Sequence, residues 1–316
     1  MPTDPINPAV FRRRLLRWYD AHARALPWRR TRNPYRIWVS EIMLQQTRVA
    51  AVLAHYREFL RRFPTVEALA AAREDEVLAA WSGLGYYRRA RMLHRAAREV
   101  VQRHSGKLPR DVEGLRQLPG IGRYTAAAIA SIAFEAPAAV VDGNVERVIA
   151  RLEGAAPKNG ALWTRADALL DPRRPGDFNQ AMMELGATVC VPEAPHCGRC
   201  PVKDDCATRG ALPSGPREIR KKQALAYALA RRDGAVRLVQ RRKDESLMAG
   251  MWELPAHQPN GAAPAMRLRH SITTTDYAVA VYEAAAKKGK WVPLARLPEL
   301  PLTGLTRKVL RRAGLF

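Results

Sequence analysis

Two glycines one residue apart, Gly120 and Gly122, separate two stretches that both favour helix, and this turn constrains the chain more than any other feature. Asp111 to Gln117 has helical spacing before it, and the alanine-rich run from Tyr124 to Phe134 follows it. Glycine tolerates positive φ and lets backbone come close to another molecule. The first amides of a helix have no partner within the helix, so such a turn presents free N–H groups that can hold a phosphate oxygen. An ordinary αα-hairpin has the same outline, so the ligand has to be argued from the rest of the chain. Lys and Arg outnumber Asp and Glu by 53 to 30, a net charge of +23. That excess is far beyond what solubility requires and points to a polyanion, nucleic acid first. A membrane surface is the rival, but no apolar run approaches the ~20 residues of a span, so no membrane is expected. Met1 to Val10 holds three prolines and Asp4 without a charged-then-apolar leader pattern, so a cytoplasmic, nucleoid-associated protein is expected.

Eighteen residues after Tyr124 comes Asp142, within Val140-Val141-Asp142-Gly143-Asn144-Val145. A periodic run (Val145, Val148, Ile149, Leu152) leads away from Asp142, which places it at a helix N-cap where the dipole favours negative charge. A capping aspartate is common, and alone it implies nothing more. The hairpin Leu118-Pro119-Gly120-Ile121-Gly122-Arg123-Tyr124-Thr125-Ala126 resembles the helix-hairpin-helix DNA-binding motif. With Val-Asp-Gly-Asn-Val at this distance, the pair resembles the DNA glycosylase superfamily named for that hairpin and its aspartate.

All four cysteines, Cys190, Cys197, Cys200 and Cys206, lie within 17 residues as C-x6-C-x2-C-x5-C. Such crowding argues for metal rather than disulfides. Thiolate sites of this kind suit zinc or iron–sulfur, and zinc more often shows two C-x2-C pairs. The spacing resembles the cluster loop of the endonuclease III and MutY branch, which implies a 4Fe–4S cofactor.

Toward the N-terminus, Val10 to Ala25 reads as a basic amphipathic helix, ending before Leu26-Pro27-Trp28-Arg29. Apolar spacing at Val39, Met43, Gln46, Val49, Leu53, Tyr56 and Leu60 predicts one helix running toward Arg62, with Glu41 early in it. A carboxyl in apolar surroundings has its pKa pushed up by desolvation, which suits a general acid. A glutamate near a helix start is also simply a complement to the dipole. The words Leu-Pro-Trp-Arg, Asn33-Pro34-Tyr35, Trp38-Val-Ser-Glu-Ile-Met-Leu-Gln-Gln-Thr-Arg-Val49 and Gly83-Leu-Gly-Tyr-Tyr-Arg-Arg-Ala-Arg91 resemble the adenine DNA glycosylases of the MutY family. In the last stretch an aromatic pair lies between glycines and arginines, a loop that could offer a ring to unstacked bases and cations to phosphates.

The predicted architecture is an all-α helix-hairpin-helix glycosylase domain over residues 1–212, with the hairpin at 111–134 and the cluster loop at 190–206. Asp177 to Gly186 is the helix delivering the chain to Cys190. A Pro/Gly-then-basic linker covers 213–222. Residues 223–316 form a smaller α+β domain, with strands near Ala224–Ala230, Val236–Arg241 and Tyr277–Glu283, a loop near 255–264, and short helices at Leu294–Leu297 and Thr306–Arg312. Ala249-Gly-Met-Trp-Glu-Leu-Pro255 resembles the start of a Nudix-like C-terminal module, without the acidic helix that Nudix hydrolases use for metals.

The resemblance implies removal of adenine mispaired with 8-oxoguanine (or guanine) from double-stranded DNA by a monomeric enzyme. It implies that Glu41 is the acid and Asp142 the stabiliser of an oxocarbenium ion, with Tyr124 and Asn144 orienting them. Trp28, Arg29, Leu44 and Gln180 would line the adenine pocket. Gln46, Thr47, Arg48, Tyr86, Tyr87, Arg88, Gly120, Gly122 and Arg123 would meet DNA. Relatives that also cleave the backbone carry a Schiff-base lysine where this chain has Tyr124, so a monofunctional enzyme is expected. The family's Phe-Ser-His loop is replaced here by Ile272-Thr273-Thr274, leaving Ser271 and Thr273 as candidate readers of the lesion. Two other functions remain open on the residues alone: an endonuclease III-like glycosylase/lyase for oxidised pyrimidines, and a non-catalytic iron–sulfur DNA-binding protein.

Overall fold

The computed structural model describes residues 6–155, 160–212, 220–245, 247–259, 261–272 and 274–316. Two units emerge, one of Met1–Tyr56, Thr65–Ala70 and Arg95–Gly215, the other of Arg57–Pro64, Ala71–His94 and Pro216–Phe316. The helices run α1 (Pro8–His22), α2 (Pro34–Leu44), α3 (Val49–Arg62), α4 (Val66–Ala71), α5 (Glu74–Trp81), α6 (Arg88–His104), α7 (Val112–Arg116), α8 (Arg123–Phe134), α9 (Gly143–Glu153), α10 (Ala161–Leu169) and α11 (Pro175–Thr188).

Helix starts follow local chemistry. Asn7 and Asn33 cap α1 and α2, each followed by a proline that fits the first turn. The single helix expected from Val39 to Arg62 is instead two. Gln45 turns extended and Gln46 takes a left-handed backbone, φ 53°, ending α2 before α3 begins. Apolar periodicity carries across such a turn because both helices bury a face, so spacing alone could not reveal the break. Glu41 therefore lies in the last turn of α2, not the first, where the helix dipole opposes a negative charge.

In the first unit, α8 packs against α2, α7 and α11. Its run Ala126 to Ala130 is at most 3% exposed, and small side chains let neighbouring helices come close. Gly176 of α11 meets α8 so tightly that a Cβ there would stand 2.6 Å from the Ser131 carbonyl oxygen. Trp38, Phe11 and Leu15 fill the remaining core at 0% exposure.

The second unit contains β1 (Lys221–Ala228), β2 (Arg231–Arg232), β3 (Ala235–Gln240), β4 (Trp252–Glu253), β5 (Met266–Ile272), β6 (Thr275–Tyr282), β7 (Lys290–Pro293) and α12 (Gly304–Arg312). One sheet has the order β1-β6-β5, with β1 parallel and β5 antiparallel to β6. The other joins β2, β4 and β7 to β3, all antiparallel. Leu238, Val279, Val281, Leu297, Val309 and Leu310 form its core. The α+β character and three of the strands match the expectation from sequence. Strand β5 escapes the sequence pattern: Met-Arg-Leu-Arg-His-Ser-Ile carries alternate charges that disguise a half-buried strand. Strand β1 begins at Lys221, inside the expected linker, whose residues 213–219 lie outside those described. Among the described residues no helix is long and apolar enough to cross a membrane.

Candidate active site and nucleic-acid surface

The two carboxylates are held in opposite ways. Glu41 is 5% exposed, and burial pushes its carboxyl up to about 7. The Tyr124 hydroxyl opposes this by donating to Glu41 Oε2 at 2.8 Å, and Arg29 opposes it too, while the charge of Asp142 adds to the rise. Tyr124, in the first turn of α8, has its own proton held well above the usual range by burial and by both carboxylates. Tyr124 therefore stays a donor, and its oxygen also lies 3.3 Å from Met183 Sδ.

Asp142 caps α9 as the spacing predicts: Oδ1 accepts from the backbone N–H of Asn144 (3.0 Å) and of Val145 (2.8 Å). Oδ2 accepts from Asn144 Nδ2 at 2.9 Å, so three donors fix the group in space. Asn144 is oriented in turn by Arg147, whose Nη2 donates to Asn144 Oδ1 at 2.8 Å. That guanidinium also reaches the Gly186 carbonyl at 2.8 Å and, through Nε, the Cys190 carbonyl at 2.8 Å. Gly186 is required here, because a Cβ would stand 2.6 Å from Asn144 Cβ. Upstream, buried Asn179 accepts from the Val140 amide (3.2 Å) and donates to the Ala138 carbonyl (2.8 Å), steering the segment into Asp142.

Helix α11 brings a third carboxylate that the sequence motifs do not single out. Glu184, 1% exposed, accepts from Arg24 Nε (2.7 Å) and Nη2 (2.6 Å) and from Arg29 Nη2 (2.7 Å). Burial alone would raise its pKa, but these two arginines hold it down at about 2. It is thus a fixed anion, unlike the neutral-leaning Glu41, and it anchors Arg29 across a separation of 155 residues. A signal existed: Gln180 and Glu184 are four apart in an apolar helix and so share a face. Gln180 is 8% exposed. Trp28 is 6% exposed and meets Tyr56 edge-on at 5.3 Å, while Leu44 is half-buried at the end of α2.

The cysteine loop docks on the far end of α9. Arg151 donates to Cys190 Sγ (3.3 Å) and to the Val191 carbonyl (2.7 Å), and its own carbonyl accepts from Thr208 Oγ1 at 2.8 Å. The Cys200 thiol is pushed up to about 11 by burial and by the neighbouring Cys190, Cys206 and Cys197. Among the described residues, though, no three His, Cys, Asp or Glu side chains gather to hold one metal ion.

Of the residues expected to meet DNA, Gln46, Arg48, Arg88, Gly122 and Arg123 are exposed, and Thr47 is half-buried. Gly120 has φ 77° at the hairpin turn, and the Arg123 guanidinium lies 3.9 Å over the Trp163 ring. Tyr86 is 46% exposed with a left-handed backbone, φ 47°. Gln46 and Tyr86 thus share a conformation that few non-glycine residues adopt and that clusters at functional sites. Tyr87 departs from expectation: it is 5% exposed, and its hydroxyl donates to the Leu302 carbonyl at 3.0 Å. The reversed chain direction at Tyr86 sends the two adjacent rings to opposite sides, so only the first is offered outward. In the hairpin of β5 and β6, Ser271 Oγ donates to Asp276 Oδ1 at 2.6 Å; Thr273 lies outside the described residues.

Comparison with known proteins adds to this geometry. Residues 39–169 match the HhH-GPD superfamily of base excision DNA repair proteins. The chain is 36% identical to the adenine DNA glycosylase of Mus musculus over 405 aligned positions, covering 98% of this chain and 79% of that protein. It is 49% identical to the Rattus norvegicus adenine DNA glycosylase over 237 positions, 68% of this chain but 46% of that one, about half its length. Among solved structures, a thermostable thymine-DNA glycosylase superposes with a TM-score of 0.60 at 32% identity, covering 64% of this chain and 96% of the other. An endonuclease III–DNA complex, 24% identical with a TM-score of 0.56 over 65% of this chain and 97% of the other, shares the fold.

Proposed function

The chain belongs to the adenine DNA glycosylase family, and we propose that it removes adenine mispaired with 8-oxoguanine from double-stranded DNA, acting as a monofunctional monomer. The observation that carries this reading is the unequal pair of carboxylates: Glu41 buried and titrating near 7, Asp142 clasped by three N–H donors. Breaking an N-glycosidic bond leaves positive charge on the sugar and negative charge on the base, and two carboxyl groups in different environments meet both needs.

Adenine must first leave the stack, at a cost of a few kcal/mol. Exposed Gln46 and Tyr86 would fill or wedge the duplex, and Arg48, Arg88, Arg123 and the amides after Gly120 would hold phosphates. Trp28, Arg29, Leu44 and Gln180 would surround the base, with the Gln180 amide turned to its polar edge. Glu41, roughly half protonated at neutral pH, would give its proton to the departing base and then activate water. The Tyr124 hydroxyl would hold Glu41 in line, and Asp142 would face the cationic sugar. Tyr124 offers no amine for a Schiff base, which supports hydrolysis without strand cleavage.

Cys190, Cys197, Cys200 and Cys206 would hold a 4Fe–4S cluster. A tetrahedral zinc ion draws its thiolates to about 2.3 Å, whereas a four-iron cluster takes one thiolate on each iron and suits wider spacing. Four thiols supply one ligand for each iron, and Cys190, Cys197 and Cys206 lie near enough to Cys200 to raise its thiol. When bound, the cluster would cross-link the loop that Arg147 and Arg151 tie to α9.

For lesion reading, Ser271 has its proton committed to Asp276, so its oxygen is left to accept, as the N7–H of 8-oxoguanine would require. Thr273 offers a second hydroxyl. The test is single-turnover base release from duplexes with adenine opposite 8-oxoguanine, adenine opposite guanine, and oxidised pyrimidines. Release of adenine, fastest opposite 8-oxoguanine and with the preference narrowed in Thr273→Ala, is expected. Release of oxidised pyrimidines with no adenine would reject the reading in favour of an endonuclease III-like enzyme.

A further inference from the structure

The second unit joins chain segments more than two hundred residues apart at one backbone oxygen. The Leu302 carbonyl, in the stretch before α12, accepts from Ser82 Oγ at 2.8 Å and from Tyr87 Oη at 3.0 Å. Both bonds are buried, and together they occupy the two lone pairs a carbonyl has. Arg307, at the start of α12, donates to the Ser82 carbonyl, and its guanidinium is half-buried. Leu302 is itself bridged to Trp252 of β4, with the Trp252 amide donating to the Pro301 carbonyl (2.8 Å) and the Thr303 amide to the Trp252 carbonyl (2.9 Å). Ser82 and Tyr87 bracket the loop Gly83-Leu84-Gly85-Tyr86, so both of its ends are fastened to the same oxygen.

What lies between them is held away from its preferred shape. Gly83 and Gly85 have φ of 108° and 69°, and Tyr86 has φ 47° with a side chain exposed to solvent. A left-handed tyrosine is strained and persists only where its surroundings over-determine it. Trp81 Nε1 donates to the Gly85 carbonyl at 3.2 Å, and Arg89 lies over the rings of Trp81 and Tyr86 at 5.5 and 5.6 Å. These contacts support the ring from beneath.

We propose that Tyr87 and Ser82 are positioning residues, which use the Leu302 carbonyl to hold Tyr86 in the orientation that enters DNA. The C-terminal segment of the chain thereby shapes a loop that belongs, in sequence, to the glycosylase half. The proposal rests on the reading of Tyr86 as a duplex wedge. It gives Tyr87 a task other than touching DNA, and it gives the segment from Pro301 to Arg307 a task in binding.

A double-mutant cycle tests this. Dissociation constants are measured with the full chain for a duplex carrying a non-cleavable adenosine analogue opposite 8-oxoguanine. Wild type, Tyr86→Ala, Tyr87→Phe and the Tyr86→Ala/Tyr87→Phe double variant are compared. Tyr87→Phe keeps the ring and removes only the hydroxyl, with its bonds to the Leu302 carbonyl, the Ser82 side chain and the Gly83 backbone, so by loosening the loop it should weaken binding roughly five- to tenfold. The same change in the Tyr86→Ala background should have no effect, because the group it positions is already gone. A merely structural tyrosine would weaken both backgrounds alike, and that additive result, or a Tyr87→Phe indistinguishable from wild type, overturns the proposal while leaving the wedge in place. If Tyr86→Ala itself binds as wild type does, the wedge reading fails and the proposal falls with it. Should Tyr87→Phe fail to accumulate as folded protein, Ser82→Ala, which frees the other lone pair of the same oxygen, is carried through the same cycle with the same criteria.

Discussion

Glu41→Gln should abolish base release and stabilise the protein at neutral and alkaline pH, with a gain that depends on pH in a calculable way. An unfolded glutamate titrates near 4.5, whereas burial raises folded Glu41 to about 7. Below pH 4.5 both states hold the proton, and the carboxyl is as stable buried as a neutral amide. Between 4.5 and 7 the unfolded chain releases its proton while the folded one retains it, so wild type loses stability as pH rises through this window. Above about 7 the folded state carries the charge and the full loss is reached. At about 1.4 kcal/mol per pH unit, the window from 4.5 to about 7 amounts to roughly 3 kcal/mol. The glutamine side chain introduced by the substitution has no proton to release, yet its amide oxygen can still accept from the Tyr124 hydroxyl. Glu184, whose depressed pKa acts in the opposite direction, is present in both proteins and cancels in the difference. Urea unfolding at about pH 5, 6, 7 and 8.5, followed by tryptophan fluorescence, reads the gap between the proteins. It should widen with pH by about 3 kcal/mol and then level off above about 7. A gap constant across that range would mean that Glu41 titrates as an exposed carboxyl, and the general-acid argument would go with it.

The single-turnover rate of wild type should fall as pH rises past about 7, as Glu41 loses the proton it donates; Tyr124→Phe, which removes a bond that lowers the Glu41 pKa, should move that fall to higher pH. A fall that stays where it was in Tyr124→Phe would show that another group titrates. Asp142→Asn keeps a capping oxygen for the Asn144 and Val145 amides, so the fold and duplex affinity should survive. Its base-release rate should drop at least a hundredfold, in line with about 3 kcal/mol for one electrostatic group at a developing charge, and a rate near wild type would remove Asp142 from the chemistry. Arg147→Met strips partners from Asn144 Oδ1 and the Cys190 carbonyl together. Iron per chain and base-release rate should therefore decline in the same variant; full iron with a full rate would show that this guanidinium links nothing that matters.

Features made within a turn or two of chain are legible in the residues alone. Asp142 caps α9 because a carboxylate reaches the amides two and three residues on, and that geometry is written in spacing. The glycine turn before α8, the crowding of the cysteines and the basic surface are legible for the same reason: each depends on neighbours in sequence or on composition. Packing decided what depends on distant partners. Glu41 is buried, with its carboxyl pushed up to about 7, because α2 and α8 pack together, and the same packing brings Tyr124 to it across 83 residues. Glu184 is an anion rather than a second acid because Arg24 and Arg29 reach it across 160 and 155 residues. Two adjacent tyrosines parted company, one outward and one under Leu302, through a single left-handed residue that no propensity foretells. The helix break at Gln46 has the same origin. Periodicity records which face is buried, but a reversal of backbone direction depends on what the next segment must reach, and only the assembled core sets that.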